Sequence, residues 1–571
     1  MLGYRRVTAL ALLCLAAFGA TATQRAYLHD DSWIIERNVL LDAGAPGAGT
    51  LVSTGYWEAA QGAAARVHEY RPLLMLTFLA QRLTTGRDAR PMHAVNVLLH
   101  ALACVLVLLV LGRKLPSAAA YAGALAFAVM PSHAEAVAAL TGRSELLVFD
   151  LLLGAWLLLE GPVAGRRLAA GAALFFAALF VKEHALLFPL LLALSDWTFD
   201  GATPWSRERR RVHGVLLAAI AACLLLRLAV LRIPFGGGEP YFADRLTAAL
   251  TVSRFAFTRY LWPSLTGQGL CPDFAKPLIP DSPRGDLASW PPLLVLGALY
   301  AAGTAALLRR RAKWAFWLCA PSVFLLPTAH VLAPLDTIGA QRFLYLPSLG
   351  LAAGLGAAWA RAHAARPRAA LAVGLLALAW QAWACASFSS AWRDGLAYYE
   401  TVIACNPVSG RARAAYGAEL LLAGRPAEGD AQLAEAVRLA PGLALPYYNL
   451  ARRAWDRGDA TEAARRIAES LERDPGSPDA WTLSALIAQE RGRPAEAEAA
   501  LRRALALAPW SPAANFNLAR LELASGRRAE AVPHLRAFAR FAPRDPDAPW
   551  ALRVSSDGPL APSTIPQDPL H

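Results

Sequence analysis

Between residues 7 and 388 the chain returns repeatedly to apolar runs of membrane-crossing length, divided by short clusters of arginine. Crossing a hydrocarbon layer of about 30 Å takes about 20 apolar helical residues, fewer where neighbouring helices shield the ends. Eleven runs meet that need, at 7–23, 92–111, 117–131, 144–160, 168–181, 184–197, 213–231, 290–308, 314–333, 343–360 and 368–388. Hydrophobic residues make up 56% of the 571 and charged residues 17%, where soluble domains carry about 25% charged. A soluble enzyme, a disordered chain and a disulfide-built secreted protein are excluded as descriptions of the whole.

The excess of positive charge is accounted for by the loops. Arg5 and Arg6, Arg113 and Lys114, Arg166 and Arg167, Arg207 with Arg209 to Arg211, Arg309 to Arg311 with Lys313, and Arg361 with Arg366 and Arg368 are opposed within the clusters only by Glu208. Together they exceed the net charge of +13 of the whole chain, so no basic face is left for nucleic acid. If Arg5 and Arg6 are cytoplasmic, eleven crossings put all six clusters on that side, as the positive-inside rule requires. Residues 24–91, 132–143, 232–289 and everything after 388 are then outside. The apolar stretch 247–265 is expected to be re-entrant or interfacial, since a full crossing there would invert Arg309 to Arg311. The first run is expected to be a retained helix, because no small-x-small cleavage site precedes an ordinary mature start. Four lysines against fifty-two arginines, with abundant alanine, is the usage of GC-rich, bacterial coding.

After residue 390 a second pattern takes over. Pro407, Pro441, Pro475, Pro509 and Pro543 are spaced 34 apart, and so are Gly424, Gly458, Gly492 and Gly526. A 34-residue helix-turn-helix unit with glycine at the inner turn and proline after the second helix is the tetratricopeptide pattern. Leu450 and Leu518 occupy the first-helix core position, Ala463, Ala497 and Ala531 the close approach, and Leu433, Ile467, Leu501 and Leu535 the larger knob; Gly429 and Ser484 depart from it. The expected fold is all-α: a polytopic membrane domain over 1–390, a tetratricopeptide solenoid over 391–545, and a Pro-rich tail over 546–571 that is a cap or disordered.

Seven cysteines are scattered, five of them (Cys14, Cys104, Cys223, Cys319 and Cys385) inside apolar runs. No CxxC occurs, so no zinc site is expected, and a lone bridge between Cys271 and Cys405 is not expected either.

Candidate chemistry gathers on the outer side. Asp30 and Asp31, just after the first run, can hold a base beside a lipid phosphate or bind a cation; the plainer alternative is an N-cap for the following short helix. His133, Glu135 and Arg143 bring an imidazole, a carboxylate and a guanidinium to one short turn, where loop polarity is the alternative. Arg71, Lys182 and Arg342 are outer cations against the positive-inside trend. They suit an anionic lipid phosphate, or they snorkel, or Lys182 simply pairs with Glu183.

DDSWIIERN, YRPL, HAVNVLLHA, PSHAEAVAALTGRSELL, LFVKEHALL, RFLYLPSLG and the repeats occur in this order. Over about residues 25–545 the chain resembles the transmembrane and tetratricopeptide-repeat-containing O-mannosyltransferases, polytopic glycosyltransferases of the GT-C type that use polyprenyl-phosphate sugars. The resemblance implies inverting transfer of a hexose, mannose in the animal members, to a protein hydroxyl. It puts a catalytic carboxylate at Asp30 or Asp31, with Asp31 marginally favoured, a second outer motif at His133 and Glu135, and a late arginine at Arg342. Two positions depart from the family: Gln341 stands where glutamate precedes that arginine, and Met130 replaces the first histidine of HPxH. A two-histidine metal site is therefore not expected.

The mechanism expected is as follows. Arg71, Lys182, Arg342 or Arg143 holds the donor phosphate. Asp30 or Asp31 deprotonates a serine or threonine, and the phosphate leaves without an obligatory metal or other cofactor. The repeats, on the same periplasmic side of a bacterial inner membrane, offer a groove to the acceptor protein. The alternatives are a non-catalytic membrane-anchored scaffold, or a transferase acting on lipid or glycan acceptors. A transporter is disfavoured, since paired broken helices are lacking.

Overall fold

The computed structural model describes residues 4–61, 69–203, 206–207, 209–233, 242, 244–274, 282, 285–330 and 338–556, and every regular element among them is helical. Two compact units emerge: residues 1–28 with 88–407, and residues 29–87 with 408–571. The divide therefore differs from the one drawn on composition. Residues 29–87 belong with the repeats, and the stretch 391–407 with the membrane helices.

In the membrane unit, five helices among the described residues are long and apolar enough to cross a bilayer: Tyr4–Thr23, Ala89–Lys114, Arg209–Val230, Leu287–Arg310 and Pro367–Arg393. The protein is an integral membrane protein. The count of eleven is not reached by that measure, because several apolar runs fold as shorter helices ending in tight turns. Ser117–Ala128, Arg143–Leu159, Gly165–Leu179 and Ser348–Ala365 stand for four of them. Lys313–Cys319 and Phe188–Ser195 are shorter still. At the end carrying basic clusters, Arg113 and Lys114 both pair with Glu160, and Arg209 bonds Asp196 at 2.7 Å.

Ser117–Ala128 and Ser348–Ala365 cross at small residues. A Cβ on Gly356 would sit 2.2 Å from the Ala119 carbonyl oxygen, and one on Gly123 would sit 2.8 Å from that of Ala352. Small residues let membrane helices approach to backbone contact. Gly356→Val is expected to push the pair apart, costing roughly 1–3 kcal/mol or more, and to remove the monodisperse detergent peak in size-exclusion chromatography. An unchanged peak and melting temperature would refute this close crossing.

Cys271 and Cys405 form a disulfide, which corrects the expectation that both stay unpaired. Local spacing hides it, since 134 residues separate the two.

In the second unit, the helix pairs run Gly410–Leu422 with Pro426–Leu439, Ala444–Asp456 with Ala460–Arg473, Pro478–Glu490 with Pro494–Leu507, and Pro512–Ala524 with Arg528–Phe541. Gly424, Gly458, Gly492 and Gly526 take φ of +73°, +77°, +70° and +74°, the left-handed conformation that closes each inner turn. Ser409, Ser477 and Ser511 cap their helices through the side-chain oxygen. Ala463, Ala497 and Ala531 are buried at the close approaches, as are Leu433, Ile467, Leu501 and Leu535. The departure at Gly429 has a steric cause: a Cβ there would meet the Gly417 carbonyl oxygen at 2.9 Å. Ala548–Ser555 caps the array, with Trp550, Ala551 and Val554 against Phe516 and Phe538. The rest of the expected tail, 557–571, lies outside the described residues.

Residues 29–87 are tied into this unit. Helix Val39–Asp42 packs on Arg528–Phe541. Arg82, buried from helix Pro72–Thr85, pairs with Asp42 at 3.0 Å and donates to the carbonyls of Ile35 and Glu36.

Candidate active site

The sequence-derived candidates divide between the units, with Asp30, Asp31 and Arg71 in the repeat unit and His133, Glu135, Arg143, Lys182 and Arg342 in the membrane unit.

In the repeat unit the acidic pair follows His29, whose backbone takes the left-handed φ of +53°, a conformation uncommon outside glycine. His29 Nδ1 lies 2.8 Å from Asp30 Oδ1, and the Asp30 side chain is 20% exposed. Asp31 is 1% exposed. Asp31 precedes the helical turn Ser32–Glu36 but makes no side-chain capping bond to it, so the capping alternative fails there. The capping residue of this segment is Asn38, which accepts from the Leu40 N–H at 3.1 Å and opens Val39–Asp42.

Tyr56 draws the candidates of this unit together. Its N–H donates to the Glu69 carbonyl at 2.6 Å, and the Arg71 guanidinium lies 5.2 Å from its ring centre. Arg71 also pairs with Glu69 at 2.7 Å. Burial pushes the Tyr56 hydroxyl well above its ordinary pKa; Arg71 opposes this, and Asp30, Glu69 and Asp31 add to it. Tyr56 was missed because nothing local marks it.

In the membrane unit the turn expected on the outer side starts at Pro131–His133 and continues into Ala134–Ala138. Glu135 is buried and accepts from Arg342 twice, from Nη1 at 2.6 Å and from the backbone N–H at 3.0 Å. Burial raises its carboxyl pKa, with Arg342 and two backbone N–H groups opposing. Lys182 pairs with Glu145 and not with Glu183, which faces Arg227 at 3.7 Å. His184 Nε2 is 3.7 Å from the second Glu145 oxygen. Both cations flank Phe343, Lys182 Nζ at 5.5 Å and the Arg342 guanidinium at 5.7 Å from its ring centre. Two carboxylates and two cations thus gather around one ring. Of the cations proposed for phosphate, Arg342 is the most open, its side chain 25% exposed against 10% for Arg71 and 7% for Lys182. Beside it the Gln341 amide is fully buried, with neither atom hydrogen-bonded among the described residues.

Two candidates turn inward. His133 is fully buried; its Nε2 meets Ser348 Oγ at 2.8 Å, and its ring packs on Phe127 and Tyr345. Arg143 is 1% exposed and donates to Asn96 Oδ1 and to the Met92 carbonyl, both at 3.0 Å. Both hold this turn against neighbouring helices, a role that polarity at a loop does not disclose. Glu145, His184 and Phe343, by contrast, join the cation group although the sequence reading gave them no role.

Tetratricopeptide repeat models match residues 448–512 and 488–553. The chain is 34% identical over 136 residues to the protein O-mannosyl-transferase TMTC1 of Homo sapiens, covering 24% of this chain and 15% of that one. It is 35% identical over 175 residues to Tmtc1 of Drosophila melanogaster, covering 30% and 20%. It is 25% identical over 448 residues to TMTC4 of Mus musculus, covering 67% and 60%. The matched stretches therefore span less than two thirds of these relatives. Among solved structures, ArnT from Cupriavidus metallidurans bound to undecaprenyl phosphate aligns over 87% of this chain and 79% of that chain, at 15% identity and a TM-score of 0.38, too loose a likeness to carry an argument. The apolar helices, the ordered motifs, the repeats and these relatives together make the chain similar to the transmembrane and tetratricopeptide-repeat-containing proteins named O-mannosyl-transferases.

Proposed function

We propose that the chain is a membrane glycosyltransferase that moves a hexose, mannose, from a polyprenyl-phosphate carrier to serine or threonine hydroxyls of proteins, with inversion. The observation that carries this reading is the pair of cations around Phe343. Lys182 and Arg342 lie in stretches assigned to the outer side, each already neutralised by a buried carboxylate. A cation held this way costs little without ligand and is pre-aimed for a phosphate.

Arg342, the most open of them, holds the donor phosphate, and Lys182 adds its field. The phosphate leaves carrying its own charge, stabilised by these cations, so no metal or other cofactor is obligatory. In the repeat unit, Asp30 is the acceptor's base. It is the accessible member of the pair, and its hydrogen bond to His29 orients it. Attack on the face opposite the departing phosphate inverts the anomeric carbon. The solenoid recruits the acceptor protein. The Cys271–Cys405 bridge supports an oxidising, periplasmic location for 232–289 and for the chain after 388, in a bacterial inner membrane.

The test is transfer from polyprenyl-phosphate mannose to a serine-containing peptide by purified protein in bilayers. Arg342→Gln is expected to raise KM for the donor about ten- to a hundredfold, matching the loss of a charged hydrogen bond of about 1.5–3 kcal/mol. Arg342→Lys keeps the charge without the fork and should fall between. No transfer by the parent protein, with this donor or with other polyprenyl-phosphate hexoses, would move the reading to a scaffold.

A further inference from the structure

We infer that Ser132, Tyr260 and Gln341 form the subsite that holds the hexose of the lipid-linked donor by its hydroxyls, beside Arg342. The inference rests on the function proposed above and adds to it the residues that read the sugar.

Three stretches of the membrane unit pack on one another: Pro131–His133, Ala256–Leu261 with Trp262–Thr266, and Gln341–Leu344. Each brings one neutral polar side chain that is nine-tenths or more buried. Ser132 Oγ and both amide atoms of Gln341 have no hydrogen-bond partner among the described residues. Tyr260 Oη accepts from the Ala340 N–H at 3.2 Å, and its own proton finds no acceptor among the described residues. Buried polar groups are as a rule hydrogen-bonded. Unspent ones on three adjoining stretches therefore mark the place of an occupant.

The backbone ties all three to the phosphate-holding arginine. A Cβ on Gly339 would lie 2.5 Å from Tyr260 Oη, so only bare backbone lets the phenol reach Ala340. Gln341 and Arg342 follow directly. Arg342 in turn bonds Glu135, three residues after Ser132. Its side chain, 25% exposed, gives the group an edge open to solvent.

Chemistry selects the occupant. The neighbouring charges are already matched, Glu135 by Arg342 and Glu145 by Lys182, whereas the three unspent groups are neutral. The Gln341 amide offers a donor and an acceptor side by side, the Ser132 hydroxyl serves as either, and the Tyr260 O–H donates. Adjacent hydroxyls that each donate and accept, as on a hexose, match this set. In the donor the anomeric carbon is joined to the phosphate through one oxygen. Side chains next to the arginine that takes the phosphate are thus the ones within reach of the sugar.

The test is equilibrium binding of polyprenyl-phosphate mannose and of bare polyprenyl phosphate to the full chain in bilayer discs. The parent is expected to bind the mannosyl lipid more tightly. Gln341→Leu and Tyr260→Phe should each weaken that binding about three- to tenfold, the worth of one hydrogen bond, and leave bare polyprenyl phosphate unchanged. Arg342→Gln should weaken both lipids. Equal affinity of the parent for the two lipids overturns the subsite without any variant having to fold; if transfer persists, the proposed function stands without it. Binding unchanged in both variants means ordered water only, and equal weakening of both lipids means a structural role; either result overturns the inference. A parent that binds neither lipid and transfers no sugar overturns the proposed function, and the subsite with it.

Discussion

Asp30→Asn is expected to lower the rate of sugar transfer about 10²–10⁴-fold, the usual worth of a positioned general base, with normal amounts of folded protein in the membrane. Asparagine keeps the volume and can still meet His29, but it cannot take the acceptor's proton. Asp31→Asn is the comparison. Asp31 is buried, and its exchange is expected to change activity through the field it exerts beside Tyr56. Activity must be expressed per folded molecule, with melting temperature measured alongside. A tolerant Asp30→Asn with an inactive Asp31→Asn would move the base to Asp31. If both variants lose protein level but keep activity per molecule, the pair is structural and the mechanism falls.

How much of this was legible from residues alone depends on the range of the interaction. The repeats were legible because their period is local: a glycine every 34 residues shows its purpose as soon as its φ is seen to be positive. Glu135 and Arg342 were both singled out as outer polar groups, yet their pairing across 207 residues was not legible. The burial of His133 and Arg143 was hidden because a loop sequence does not tell which of its polar side chains turn inward. The count of eleven crossings is not confirmed, because runs such as 184–197 and 314–333 fold as successions of short helical pieces among the described residues, which an apolar run does not disclose. The most consequential miss was the membership of residues 29–87. Nothing in their composition says that they fold with a solenoid that begins more than 300 residues later.

That membership changes what removing repeats should do. If the solenoid only recruited acceptors, a chain cut short would still modify a small peptide. The structure leads to the opposite expectation. Helix Val39–Asp42, on the segment that carries the acidic pair, packs on Arg528–Phe541, and Arg82 ties Asp42 to the backbone at Ile35 and Glu36. Deleting residues 528–571 strips away that support without touching an apolar run of the membrane unit. Transfer to a short peptide and to an intact protein should both fall below detection. Binding of the lipid-linked donor should persist, because Lys182 and Arg342 belong to the other unit. The measurement is equilibrium binding of labelled polyprenyl-phosphate sugar beside transfer assays on both acceptors. Peptide transfer at the parental rate would mean that residues 29–87 hold their geometry alone and that the repeats serve recruitment only. Loss of donor binding would mean that the membrane unit itself depends on the repeats, and the separation of roles between the two units would have to be given up.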